Sequence, residues 1–124
     1  MRKFVLSAAF VALAAGVAWA AVPVKTVKTG IGDVLAGENG MTLYTFKKDT
    51  PGVSNCYDQC AVNWPPLIAA AGAAAEGDYS LVERKDGSKQ WAKQGWPLYY
   101  WIKDVKEGDT TGDGVGGNWE AARP

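Results

Sequence analysis

The sequence predicts an all-β protein in which two pseudo-symmetric three-strand meanders pack as a small sandwich or open barrel, with long loops and room for one short helix. Three observations lead there. A ten-residue motif occurs twice, 55 residues apart, as Gly40-Met-Thr-Leu-Tyr-Thr-Phe-Lys-Lys-Asp49 and Gly95-Trp-Pro-Leu-Tyr-Tyr-Trp-Ile-Lys-Asp104, with Phe46 aligned to Trp101. The same spacing pairs Asn63-Trp64 with Asn118-Trp119 and Val27 with Val82. So many matches at one offset mark a duplication. Segments rich in β-branched and aromatic residues also alternate with glycine-bearing turns, which is the composition of short strands.

Taken in order, residues 1–20 have the layout of a secretory signal peptide. Arg2 and Lys3 form a short cationic region, an apolar run follows to Val17, and Ala18-Trp19-Ala20 places small residues at a cleavage site. The apolar run is shorter than the ~20 residues that usually span a bilayer. Cleavage after Ala20 is expected to leave a soluble chain of residues 21–124, with no cysteine near the junction to accept a lipid. That length suits one domain built from two repeats, about 24–66 and 79–121.

Strands are expected over 22–29, 42–48, 79–84 and 97–103, with turns at Gly30-Ile31-Gly32, Glu38-Asn39-Gly40 and Lys85-Asp86-Gly87. Asp86-Gly87 is a hairpin signal whose partner strand is 89–93, and 118–122 adds a last strand. Period-two alternation sets Tyr44 and Phe46 on one face, as it does Tyr99 and Trp101, with Leu43 and Leu98 on the other. In the second copy Trp96, Tyr100 and Ile102 make the leucine face apolar too, which predicts a central strand. The alanine-rich stretch 67–76 reads either as a short helix, interrupted at Gly72, or as a linker between the copies.

Charge and composition exclude several functions. Without residues 1–20 the chain has 11 basic and 13 acidic residues, and no basic run marks a nucleic-acid surface. Histidine is absent, which removes the commonest general base and the commonest transition-metal ligand together. No serine or cysteine has a base beside it in a nucleophile motif. The expected protein is therefore not an enzyme and needs no cofactor.

Four constellations remain. Cys56-Tyr-Asp-Gln-Cys60 has the wrong spacing for a redox Cys-x-x-Cys or a haem motif. In an exported chain it reads as a structural disulfide, with a thiol-redox or metal-handling pair as the alternative. In a regular helix the Cβ atoms would stand ~5–6 Å apart, too far for a bridge, so a turn or a distorted helix end is required. The glycine-rich 108–117 segment carries Asp109 and Asp113, weak candidates for calcium, because the alternating acids and closing glutamate of an EF-hand are missing. Asp49 and Asp104 end equivalent strands and read as turn-forming acids, or else as a symmetric acid pair if they are close in space. The aromatic load, five tryptophans and five tyrosines after residue 20, serves mainly as core. Trp64 and Trp119 are the candidates to face a ligand, such as a glycan or an envelope surface.

The motif residues Tyr44-x-Phe46-x-x-Asp49 and Tyr99-x-Trp101-x-x-Asp104 also resemble the Tyr-x-aromatic-x-x-Asp signature of bacterial secreted or lipoprotein repeats of unknown function. The segments 54–60, 63–67, 86–91 and 108–117 are similar to that family's characteristic stretches, so the resemblance spans essentially all of 21–124. It implies export, sometimes with a lipid anchor, and no established catalysis. Such proteins often carry a histidine after the tryptophan equivalent to Trp119. Here Glu120 stands there, so no histidine-based site is implied for this chain. The expectation is a periplasmic or secreted, monomeric, non-enzymatic binding or envelope-associated module, without a nucleic-acid partner. A redox or metal-handling protein using Cys56 and Cys60 is the alternative.

Overall fold

A computed structural model describes residues 21–124; the expected signal peptide lies outside the described residues. The chain forms β1 (Val24–Thr29), β2 (Gly32–Gly37), β3 (Tyr44–Phe46), helix α1 (Gln59–Asn63), β4 (Tyr79–Glu83), β5 (Lys89–Lys93), β6 (Trp96–Pro97), a short 3-10 turn (Val115–Gly117) and β7 (Trp119–Ala121). The strands make three small antiparallel sheets, β1-β2, β3-β7 and β4-β5-β6, and none closes into a barrel. The all-β expectation stands.

Each repeat opens with a hairpin. The β1-β2 hairpin turns through Gly30-Ile31, where the Thr29 hydroxyl accepts from the Ile31 amide and donates to the Gly32 carbonyl. The β4-β5 hairpin turns through Lys85-Asp86-Gly87. There the Asp86 carboxylate accepts from the amide and hydroxyl of Ser88, and Gly87 takes φ +89°, which glycine adopts without strain. Val27 pairs with Val34 in the first copy and Val82 with Gln90 in the second, so β2 and β5 correspond at an offset of 56 rather than 55. The second turn is one residue longer, and the following bend, 93–95 against 37–40, is one shorter.

The copies are interlaced. Tyr44 and Tyr99, equivalent residues, exchange backbone hydrogen bonds of 2.7 and 3.0 Å across the pseudo-twofold axis. β3 of the first copy pairs with β7 of the second, Phe46 opposite Trp119. In the symmetric position the Asn63 and Pro65 carbonyls accept from Ile102 and Tyr100. That second pairing is less regular because Pro65 and Pro66 have no N–H to donate. Where the first copy has Pro66 the second has Ala121, whose amide donates to the Asp113 carboxylate.

Two closed triangles of backbone hydrogen bonds complete the frame. Leu35 donates to Ala122, Ala122 to Leu43 and Leu43 back to Leu35. In the other half Trp91 donates to Leu67, Leu67 to Leu98 and Leu98 to Trp91. Each triangle joins two strands of one repeat to the terminal segment of the other. The six side chains at these corners form one core cluster. Tyr44, Tyr99, Phe46, Trp64 and Trp119 build a second with Val34, Cys56 and Ala121. Leu43 and Tyr44 thus face different cores, as the alternation predicts.

One of the two readings of 67–76 falls, and one expectation needs correcting. No helix forms in 67–76; the Ala69 amide instead donates to Lys89, alongside β5, and the chain turns at Ala70–Ala73. The helix lies at Gln59–Asn63, held by the loop before it. Ile102 also falls outside the leucine-side core and is exposed, because the chain turns at Trp101–Asp104 before that strand can extend.

Interlacing has a direct test. A chain cut within 70–76 should stay folded as a non-covalent pair, whereas either half alone should lack near-ultraviolet dichroism. Size-exclusion chromatography and circular dichroism of the cut and separated halves would show it; an independently folded half would contradict the exchange.

Candidate functional site

The repeat motif is brought together at the pseudo-twofold axis, and apart from Trp101, which is half-buried at the end of an aromatic stack, its tyrosines, aspartates and Phe46 are buried. Phe46, Trp119, Trp64 and Trp101 form one continuous stack. Centroid separations along it are 4.2, 3.8 and 3.9 Å, and the central tryptophans are within 2° of parallel. Tyr44 meets Trp64 edge-on at 5.5 Å, and Tyr99 meets Trp119 likewise at 5.2 Å. Pairs of this geometry contribute about 0.5–1.5 kcal/mol each beyond the area they bury. Trp64 and Trp119 are only 5% and 6% exposed. The expectation that they face a ligand is therefore overturned, because each is covered by the other and by its flanking rings.

Each motif tyrosine reaches the aspartate of the opposite repeat. Tyr44 donates to Asp104 Oδ2 at 2.6 Å and Tyr99 to Asp49 Oδ2 at 2.7 Å. The second carboxylate oxygens accept backbone amides of the following loops, Asn55 for Asp49 and Thr111 for Asp104, with the Thr111 hydroxyl adding a further bond. The two aspartates thus serve different tyrosines, and no hydrogen bond joins them. Burial pushes both phenols well above their ordinary value, and the carboxylate each one bonds adds to the shift. Both remain protonated donors.

The second copy adds a buried cation. Arg84 donates to Gln90 Oε1, to the Cys56 carbonyl and to Ser54 Oγ, and packs over the Tyr57 ring. The phenolic proton of Tyr99 is committed to Asp49 and a hydroxyl has only one proton. The 2.6 Å contact between Ser54 and Tyr99 is therefore donated by serine. A chain of donors runs from Arg84 through Ser54 and Tyr99 to Asp49, and a low local dielectric strengthens it. Sequence reasoning missed Arg84 and Gln90. The available signal was that Arg84 continues the inward alternation of Val82, so it belongs to the core face. In the first copy Val34 stands where Gln90 does, and that half of the core is apolar.

Cys56 and Cys60 are disulfide-bonded, their Cα atoms 5.2 Å apart. The chain reverses through Asp58, at φ 56°, just before α1, which is the distorted helix start the spacing requires. Gly112 takes the place of Cys56 in the second copy, since each follows the residue whose amide caps its aspartate. Asp109 accepts the Val105 and Lys106 amides and the Lys106 ammonium, which hold its carboxyl down to about 2. Asp113 is bound to Ala121. Among the described residues no group of three His, Cys, Asp or Glu side chains is placed to hold a metal ion. No helix among them is long and apolar enough to cross a membrane.

A solvent-facing cleft of about 430 Å³ lies elsewhere, between β3, β7 and the β5-β6 turn, lined in part by Thr45, Lys93, Trp96, Leu98 and Glu120. Apart from Trp96, one of the five tryptophans of the aromatic load, none of these was a sequence candidate.

Two measurements check this core. A Cβ at Gly112 would fall 2.8 Å from the Tyr44 ring and 3.0 Å from Trp64. Gly112→Ala should therefore cost about 1–3 kcal/mol by urea unfolding, as overpacking does. Burial raises the Asp49 carboxyl above 3.8, against the Asn55 amide, the Tyr99 hydroxyl and the Arg84 charge, which lower it. The folded protein holds this proton more tightly than the unfolded chain. Its stabilising contribution is full below 3.8 and falls as pH rises through the native value. Wild type should lose stability relative to Asp49→Asn over that window, and a gap independent of pH would refute the assignment.

No curated protein and no solved structure matches the chain. A family model does, over residues 25–68 and again over 80–123, and its description is a secreted repeat of unknown function. The two matches cover the interlaced units whose tyrosines, aspartates and tryptophans meet at the axis, and on that ground the chain belongs to this family of secreted repeats, in two tandem copies.

Proposed function

We propose that the protein is an exported, non-enzymatic binding module of the bacterial envelope, periplasmic or released, that works as a monomer after removal of residues 1–20. The observation that carries this reading is a division of labour. The motif residues Tyr44, Asp49, Trp64, Tyr99, Asp104 and Trp119 are engaged with one another in the core. Their chemistry holds the fold and is not offered to solvent. The cleft beside Thr45 is a concave, solvent-facing place at which the copies differ. Family membership supports export and is silent on a reaction.

The disulfide fits the same reading. Cys56 is fully buried, and its carbonyl holds Arg84, so opening the bridge would disturb the core rather than present a thiol. Closing so short a loop stabilises by roughly 2 kcal/mol.

The test is native mass spectrometry of protein recovered from its own periplasm or medium, with thiol trapping of the same sample. The expected result is a monomer beginning at Ala21, with the bridge formed and inert to mild reductant, carrying a bound species that a Thr45→Tyr variant loses. Rapid reversible turnover of Cys56 and Cys60 in the folded protein would replace this reading with the redox one.

A further inference from the structure

The pseudo-twofold axis provides an internal control for the cleft, because a counterpart groove exists in the other half and is filled. There Tyr100, the equivalent of Thr45, lays its phenol over Gly37 beside Asn39. A Cβ built on Gly37 would fall 2.0 Å from the phenolic oxygen and 3.0 Å from the ring carbon that bears it. Tyr100 packs there against the core cluster of Leu35, Leu43 and Leu67. In the open cleft the matching apolar surface is present, formed by Leu98, Ala122 and Trp96. The chain supplies only a threonine where the other half supplies a ring. The space left, about 430 Å³, lies at the lower end of the range for small-molecule sites, ~300–1,000 Å³.

The second departure concerns charge. Lys93 stands where Gly37 does, at the point the phenolic oxygen of Tyr100 reaches in the filled groove. Lys47 and Arg123 also line the open cleft, against the single acid Glu120. The Lys93 ammonium donates one bond, to the Arg123 carbonyl, and has two further protons to offer. Arg123 is turned toward the Ile31 and Asp33 carbonyls. None of these four charged groups is in an ion pair among the described residues. The Lys93 Cβ takes the point that the phenolic oxygen of Tyr100 reaches over Gly37, so a ring in the open cleft sits further out than that of Tyr100, in a cleft whose wall includes the Lys93 side chain.

We propose that the Thr45 cleft binds a small aromatic acid: a single planar ring against Trp96, Leu98 and Ala122, with its carboxylate on Lys93 and Lys47. This rests on the binding-module reading and names its ligand class. The ring occupies the space left beside Thr45, short of the point that Tyr100 reaches over Gly37 in the other half. The carboxylate answers the lysine that replaces Gly37, a charge-assisted contact of the stronger kind.

The probe is 4-hydroxybenzoate, titrated into the disulfide-bonded 21–124 protein and followed by amide and indole NMR shifts. Saturable shifts are expected at Thr45, Lys93, the Trp96 indole and Ala121. Affinity should fall at least tenfold for 4-hydroxybenzamide, which keeps the ring and loses the charge, and at least tenfold in Lys93→Gln. Thr45→Tyr should abolish binding, because its ring takes up the space left beside Thr45; an unchanged spectrum elsewhere verifies that it folds. Equal affinity for acid and amide, or binding unaffected by both variants, would overturn the proposal. If 4-hydroxybenzoate does not bind while the protein from its own envelope still carries a species lost in Thr45→Tyr, the ligand class is wrong and the binding-module reading survives. If neither is seen, both fall.

Discussion

The reciprocal pair of backbone hydrogen bonds between Tyr44 and Tyr99 fixes nearly everything else. A strand can meet its own symmetry equivalent in antiparallel only across a twofold axis, so this pair sets the axis and brings the two motif strands together in one register. From that register the side-chain pattern follows. The tyrosines point to one core and the leucines beside them to the other. Each phenol is then carried toward the aspartate that ends the opposite strand. The tryptophans that follow each loop are brought face to face on the axis.

Burying so many polar groups near one axis is costly unless every one is paired. Both phenols, both carboxylates and the loop amides after them satisfy one another. Around Tyr44 the network is closed by the Gly112 amide of the second copy. Around Tyr99 it is closed by Ser54 of the first copy and the buried Arg84 of the second. Two different solutions to one pairing problem show how far the copies have diverged around an unchanged frame. The disulfide and α1 belong to that divergence, since they shape the loop which offers Ser54 and the Cys56 carbonyl to arginine.

Much of this was legible from residue patterns. Alternation placed Leu43 and Tyr44 on different faces, Asp86-Gly87 marked its hairpin, and the repeated motif marked two similar halves. Alternation reports which face a side chain takes, however, and not which strand lies beside it, so the pairing of β3 with β7 was out of reach. The change of offset between β2 and β5 was hidden because one added residue in a turn and one lost in the next bend restore the spacing at Gly40 and Gly95. Trp64 and Trp119 read as candidate ligand-facing rings because composition counts aromatics without locating them; only their meeting on the axis buries them. Arg84 was not singled out, although its position two residues after Val82 put it inside. The cleft left no trace in either copy taken singly. It is a difference between Thr45 and Tyr100, visible only once the two grooves are superposed.

The exchange of terminal strands also bears on how such a chain could have arisen. One unit of this kind, in isolation, leaves its leucine triangle open at one corner, its tyrosine without an acid and its tryptophan without a face to lie on. Two identical molecules could complete each other about a true dyad, with two equal grooves and two equal aromatic plugs. Joining them through residues 68–78 replaces an encounter between molecules with one inside a chain, where short flexible tethers set local concentrations in the millimolar range. It also frees the two grooves from having to be the same. One could keep its built-in ring while the other exchanged it for threonine, a specialisation closed to a homodimer, in which every substitution is made twice.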